Sequence, residues 1–477
     1  MAYRLEGSQE SILRSHRISQ DESRQSRRER QKEIESEKIS KAYEKVEDEV
    51  FKYLEKNLSV VPVTEDIVFQ SVTAVGQKMI MEPKLYVPFM KRVIPVLFRI
   101  ASMCYGEPLF QQIRSNGYRV FIMFAQILVI CAESPFLQPE EMIKIGFVDM
   151  CLKYLTCDND QVIAVTLDSI STACTHPLLV SRFLNQNLFG KLVTAVASIP
   201  EVGAELVYRQ ISSIIRVICS NYQYAHDFVV SYIIFFSKLI NINDILIMTN
   251  MMHAIHGLYM SGNFVNELRP LRAEERCIKL LELNTDEKLC EACLLCLGAY
   301  VFQKDDLPSS GQICGVAVTK ITTSPEYIQK ICFWILSNIS AGSFEGMTEN
   351  VVSSGGLMLS CKFIVESTNA KIKIECGWVL TNVLYKLTDL SKVRSDLLCE
   401  AIVITLLTPD QTMVLSLLAG IIKLISFDNL TMTPTIKDKL NELNIMQNYS
   451  KLLQSPNAEI RKRAAKVEEL LRDSNSL

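Results

Sequence analysis

The chain has 477 residues, a net charge of −3 and 48% hydrophobic residues. Near-balanced charge argues against a protein that coats nucleic acid through bulk positive charge, so no direct nucleic-acid partner is expected. The apolar content suffices for a large core, yet no single compact body is required, because repeat arrays grow linearly.

From Ser11 to Lys32 the bases Arg14, Arg17, Arg24, Arg27, Arg28, Arg30 and Lys32 outnumber Asp21, Glu22 and Glu29, for a net +4. Few apolar side chains interrupt this arm, so it builds no core of its own and is expected to order only against a partner that neutralises it. From Glu33 to Lys56 the balance reverses to −3, with Glu44, Glu47, Asp48 and Glu49 among the acids. Ile39, Tyr43, Val46, Val50, Tyr53 or Leu54, and Leu58 recur every three or four residues there. That spacing predicts an amphipathic helix docked on whatever follows, and sets a boundary between an arm and helix over 1–58 and a second region over 59–477.

From Val61 onward the pattern is almost wholly helical, without strand-like alternation. Thr64-Glu65-Asp66, Ser324-Pro325-Glu326 and Ser455-Pro456-Asn457 read as helix starts, while Gly342 and Gly355-Gly356 read as stops. The richest apolar stretch, Val120 to Cys131, is too short for a bilayer. No uninterrupted run of about 18 apolar residues occurs, and no N-terminal h-region, so no membrane insertion is expected. Long inner helices are predicted near 121–131, 163–174, 208–219, 248–260, 289–301, 330–341, 374–386 and 413–427. Their spacing matches the period of about 40 to 47 residues of HEAT and armadillo repeats, giving about ten repeats with a charged closing helix from Glu459 to Leu471. Fifteen Cys spread through such helices read as reduced, buried thiols.

Two of these helices match each other. Trp334 precedes Asn338, and Trp378 precedes Asn382, by four residues each, so on both helices an indole and a carboxamide share a face. The two tryptophans, the only ones in the chain, lie 44 residues apart and therefore fall on neighbouring rungs of one ladder. An Asn amide can grip the main chain of an extended peptide, and an indole face can take the apolar stem of a Lys or Arg. Glu375, one turn before Trp378, would supply an acid for the cation. A large core aromatic beside a polar helix residue is the bland explanation for one Trp; the recurrence in one frame favours the binding one.

The stretches Ile328 to Gly342 and Lys371 to Asn382 resemble armadillo repeats of the importin-α family, the adaptors that recognise nuclear localisation signals. The resemblance implies an all-α, armadillo-repeat, right-handed superhelical solenoid preceded by an N-terminal basic arm and helix. It implies that Trp334, Asn338, Trp378 and Asn382, with Glu375 as acid partner, bind a Lys/Arg-rich signal peptide at the minor site on the concave groove. It also implies that Arg14, Arg17, Arg27, Arg28, Arg30 and Lys32 belong to a segment that binds an importin-β-type receptor. Cargo with basic signals, that receptor and an export receptor for recycling are the expected partners, in cytoplasm and nucleus. The family's second basic cluster, which autoinhibits the adaptor, has only the acidic stretch Ala42 to Glu49 as its counterpart here.

The first half of the ladder departs from the family. The Trp positions of the second to fifth repeats fall near Ala125, Asp168, Ser213 and His253, and the Asn positions near Val129, Thr172, Val217 and Gly257. None keeps the pair, although Asp168 retains a charge for a cation.

Cys290, Cys293 and Cys296 have a spacing found in metal sites, but on a helix they form a drifting stripe without a fourth ligand, so no metal is expected. His253 and His256 lack a nearby acid pair and read as local polar or packing residues. No phosphate loop, nucleophile elbow or His-Glu-x-x-His helix occurs, so neither cofactor nor catalysis is expected. The expected function is a non-enzymatic nuclear import adaptor. The alternative is an armadillo scaffold, structural or cytoskeletal, without import activity.

Overall fold

The computed structural model describes residues 52, 54 and 56 and most of 63–472, apart from 82–86, 136, 199–203, 221–228, 262–263, 284–285, 304–306, 345, 394, 432–434 and 444. The described residues contain helices and no strand. Ten long helices recur down the chain: α1 (Glu65–Met81), α2 (Arg119–Glu133), α3 (Asp160–Ala173), α4 (Ala204–Ser220), α5 (Ile245–Met260), α6 (Glu287–Gln303), α7 (Glu326–Ala341), α8 (Ala370–Lys386), α9 (Gln411–Thr431) and α10 (Ala458–Arg472). Each expected inner helix coincides with one of them. Other helices fill the intervals, from Val87–Met103, as long as α1, to the short Met347–Ser353 and Gly356–Glu366 between α7 and α8. A short first helix, a second helix and a long third helix make an armadillo-type repeat, and the fold is an all-α stack of such repeats.

The chain divides into two compact units, Met1–Ile214 and Ile215–Leu477. In the first, α1 packs on α2 and α2 on α3. Glu65, 1% exposed, fixes this end. It accepts hydrogen bonds from Arg119 Nε at 2.8 Å and Asn116 Nδ2 at 2.9 Å, so the buried carboxylate has both a counter-charge and a neutral donor. Of the expected 33–58 helix, Lys52, Leu54 and Lys56 are described; all three are helical and Leu54 is buried.

In the second unit α5 to α10 pack each on the next. Local chemistry sets their limits. Asp244, Asn369 and Asn457 accept main-chain N–H groups at the starts of α5, α8 and α10, and Gly342 closes α7. Gly346 and Gly355, at φ 88° and 84°, allow the abrupt corners into the two short helices, a conformation that costs a side-chain-bearing residue. The core between helices is aliphatic and aromatic: Phe333 of α7 is fully buried and meets Phe363 edge-on at 5.0 Å. All fifteen cysteines are buried and none is paired in a disulfide. By length and composition α9 would suffice to cross a membrane, although Lys423 and Asp428 interrupt its apolar run. Half of that stretch is buried, and packing on α8 and α10 on either side accounts for its apolar character.

Candidate peptide-binding groove

α7 and α8 are packed neighbours, and each carries its Trp and Asn half-buried rather than in the core. The Trp334 ring lies on the main chain of Gly298 in α6. A Cβ built there would meet Cζ3 at 2.0 Å, so only glycine leaves room for the indole. Gly298 sits 40 residues before Asn338, close to the place where a third Asn would complete the ladder. The sequence signal for this seat was a lone helical glycine at repeat spacing, and the reading of the Trp–Asn pairs did not use it.

The two asparagines differ. Asn382 Nδ2 donates to the Ser337 carbonyl oxygen at 3.1 Å and to Ser340 Oγ at 3.4 Å, tying α8 to the preceding rung. Its donors face α7, and the amide oxygen is what it can offer a ligand. Asn338 Nδ2 is buried without a hydrogen-bond partner. Turning that amide about its last torsion would exchange the donor with the oxygen at no loss of a bond made by Nδ2.

Glu375 is half-buried, and burial raises its pKa while Lys330 of α7 opposes the rise. The acid expected to receive a cation therefore already feels one. Two further lysines were not anticipated. Lys386 donates to the carbonyl oxygens of Ala341 and Gly342, the latter at 2.7 Å, and Lys423 to those of Tyr385 and Leu387 at 3.2 and 2.6 Å. Each cation covers the C-terminal end of the preceding inner helix, where unpaired carbonyls and the helix dipole favour positive charge. Lys386 lies one turn after the ladder Asn, and that periodic placement was the available signal.

In the first unit the three positions equivalent to the tryptophans are engaged or buried. Asp168 Oδ1 accepts from Gln210 Nε2 at 3.4 Å, Ser171 and Ser213 hydroxyls meet at 2.9 Å, and Ala125 is fully buried. In the second unit His253 is half-buried. Gly257 lies so close to α4 that a Cβ would stand 2.5 Å from the Cys219 carbonyl oxygen. Arg14, Arg17, Arg27, Arg28, Arg30 and Lys32 lie outside the described residues.

Cys293 and Cys296 converge on Cys277, whose Sγ is also 3.3 Å from Met252 Sδ. Burial pushes the Cys277 thiol far above its ordinary range, and a protonated thiol is a poor metal ligand. Among the described residues no group of three or more His, Cys, Asp or Glu is arranged to hold a metal ion.

No protein-family model matches the chain, and no curated protein matches it. Solved structures do. An engineered protein from the Northeast Structural Genomics Consortium has 16% identity, covers 89% of this chain and 98% of its own, and superposes with a TM-score of 0.66. A designed armadillo repeat protein in complex with a (KR)4 peptide has 18% identity over 50% of this chain and 98% of its own, with a TM-score of 0.40. At such identities the first likeness is one of fold.

Proposed function

We propose that this chain is a peptide-binding adaptor that holds an extended Lys/Arg-rich signal across α7 and α8. In this reading it links that cargo, through its N-terminal basic arm, to an importin-β-type receptor for nuclear import. The observation that carries the reading is the pair of half-exposed Trp–Asn sets on packed neighbouring helices, with the Asn338 amide donor unengaged. Indole faces one rung apart bound a slot for an alkyl stem, and amides at i+4 supply donors and acceptors to a main chain. Glu375 receives the cation once the peptide displaces the influence of Lys330. No step is catalytic; the chain would work by binding, between cytoplasm and nucleus, and an export receptor would recycle it.

The scaffold reading is favoured by one observation, that Asn382 already spends its donors on α7. Fluorescence polarisation of a labelled Lys/Arg-rich peptide against the full chain separates the two. The adaptor reading requires saturable binding that weakens in Trp334→Ala and Trp378→Ala, whereas the scaffold reading requires none. For the arm, Gln at Arg27, Arg28 and Arg30 is expected to abolish capture by an importin-β-type receptor and to leave peptide affinity unchanged.

A further inference from the structure

We infer that a second subsite, built from Arg216, His253 and His256, takes the carboxylates of an acidic peptide segment. The three residues belong to the second unit and lie on α4 and α5, three and two rungs before Trp334. Arg216 is exposed, and its Nη1 donates to Asn250 Oδ1 of α5 at 3.3 Å. That bond holds the guanidinium over α5 one turn before His253, leaving other N–H groups of the fork for a ligand. His256 follows by three residues on the same side, and both imidazoles are half-buried.

The electrostatics are one-sided. Burial lowers the pKa of His253 to about 4, with Arg216 and His256 acting in the same direction, and burial also lowers that of His256. No carboxylate figures among the charges acting on either ring. On the next inner helix Glu291 is the half-buried acid, and Arg276, from the helix Ala273–Leu283, directs its Nη2 to Met248 Sδ. The cluster is thus one permanent cation beside two imidazoles held neutral, with Glu291 on the packed helix α6 and the exposed Lys238 on Val229–Ile240, which also packs on α5.

A carboxylate seated on the Arg216 fork would reverse the field at His253 and draw a proton onto it. Binding would then take up a proton and strengthen as pH falls. Gly257 removes the ladder amide from this rung and presses α5 against the Cys219 main chain, so recognition here falls to ligand side chains rather than to the ligand main chain. An acidic segment fits that requirement, and the Arg fork matches carboxylate geometry.

The test uses the full chain and three labelled peptides of equal length, alternating Gly with Glu, with Lys and with Ser, read by fluorescence polarisation. The Glu peptide is expected to bind, about tenfold more weakly in Arg216→Gln and more weakly in His253→Gln and His256→Gln. Its affinity in the unsubstituted chain is expected to rise as pH falls from about pH 6.5 toward about pH 5, above the His253 value of about 4 in the free chain, and that rise should shrink in the His variants. Binding must persist in Trp334→Ala/Trp378→Ala, so failure of the basic-signal site and failure of this one are read separately. Equal affinity for the Glu and Ser peptides, or a Glu peptide indifferent to Arg216→Gln, would overturn the assignment. Arg216 is exposed, and an unchanged circular dichroism spectrum of its variant excludes misfolding as the cause.

Discussion

Asn382 donates its side-chain amide to the main-chain oxygen of Ser337, 3.1 Å away on the preceding inner helix, whereas Asn338, at the same place one repeat earlier, buries its amide donor without a partner. Two residues of one type at equivalent positions are thus in different energetic states. Asn382→Ala should lower stability by about 1 kcal/mol, because a hydrogen bond between stacked helices is lost. Asn338→Ala should change it by less than about 0.5 kcal/mol, since no bond made by Nδ2 is broken. Thermal denaturation of the two variants checks the contrast, which equal losses would refute.

The seat of Trp334 gives a second expectation. Gly298→Ala places a methyl carbon inside the indole ring's volume and must displace it, at about 1 to 3 kcal/mol. Combining it with Trp334→Leu should recover part of the loss, because a smaller side chain clears the added methyl. A double variant no more stable than Gly298→Ala alone would show that the ring does not need this seat.

The lysine caps make a third. Lys386→Met and Lys423→Met keep the apolar stem and remove the cation from helix ends whose carbonyls it covers. Each should cost about 0.5 to 1 kcal/mol, with a smaller difference at high salt if the dipole term matters. Denaturant titration at two ionic strengths measures both parts.

Glu375 supplies a pH dependence. Its folded pKa is raised above the unfolded value by burial, so the protonated side chain favours the fold. That contribution is present below the unfolded pKa, near pH 4.3 for a model Glu, and is lost as pH rises through the folded pKa. Glu375→Gln should therefore raise the melting temperature near pH 7.5 and lose its advantage toward about pH 4. The gain should be larger in a Lys330→Met background, since Lys330 opposes the shift. A Gln variant less stable at neutral pH would mean that the carboxylate is held by a favourable partner.

Much of the fold was legible because its signals are periodic and local. Thr64, Pro325 and Asn457 lie at or just before the starts of the long helices they announced, and Gly342 lies just after the helix it closes. The apolar stripes placed the other inner helices to within a few residues. The Trp–Asn sets were legible for the same reason, as repeats in one frame. What escaped was whatever depends on the neighbouring rung: the Gly298 seat, the Lys386 and Lys423 caps, and the bond that occupies Asn382. Those are contacts between helices tens of residues apart, and no pattern within one helix encodes them. At Gly355 the sequence read as a stop; the structure uses it as a corner, ending one short helix and beginning the next.

The central claim is that Trp334 and Trp378 bind a basic peptide. Its most direct test is fluorescence polarisation of a labelled Lys/Arg-rich peptide against the full chain and against Trp334→Ala, Trp378→Ala and the double variant, each with an unchanged circular dichroism spectrum. Micromolar or tighter binding by the unsubstituted chain is expected, with a loss of about 1 to 3 kcal/mol per tryptophan and near-abolition in the double variant. Binding that survives both substitutions undiminished, or no binding by the unsubstituted chain, would contradict it.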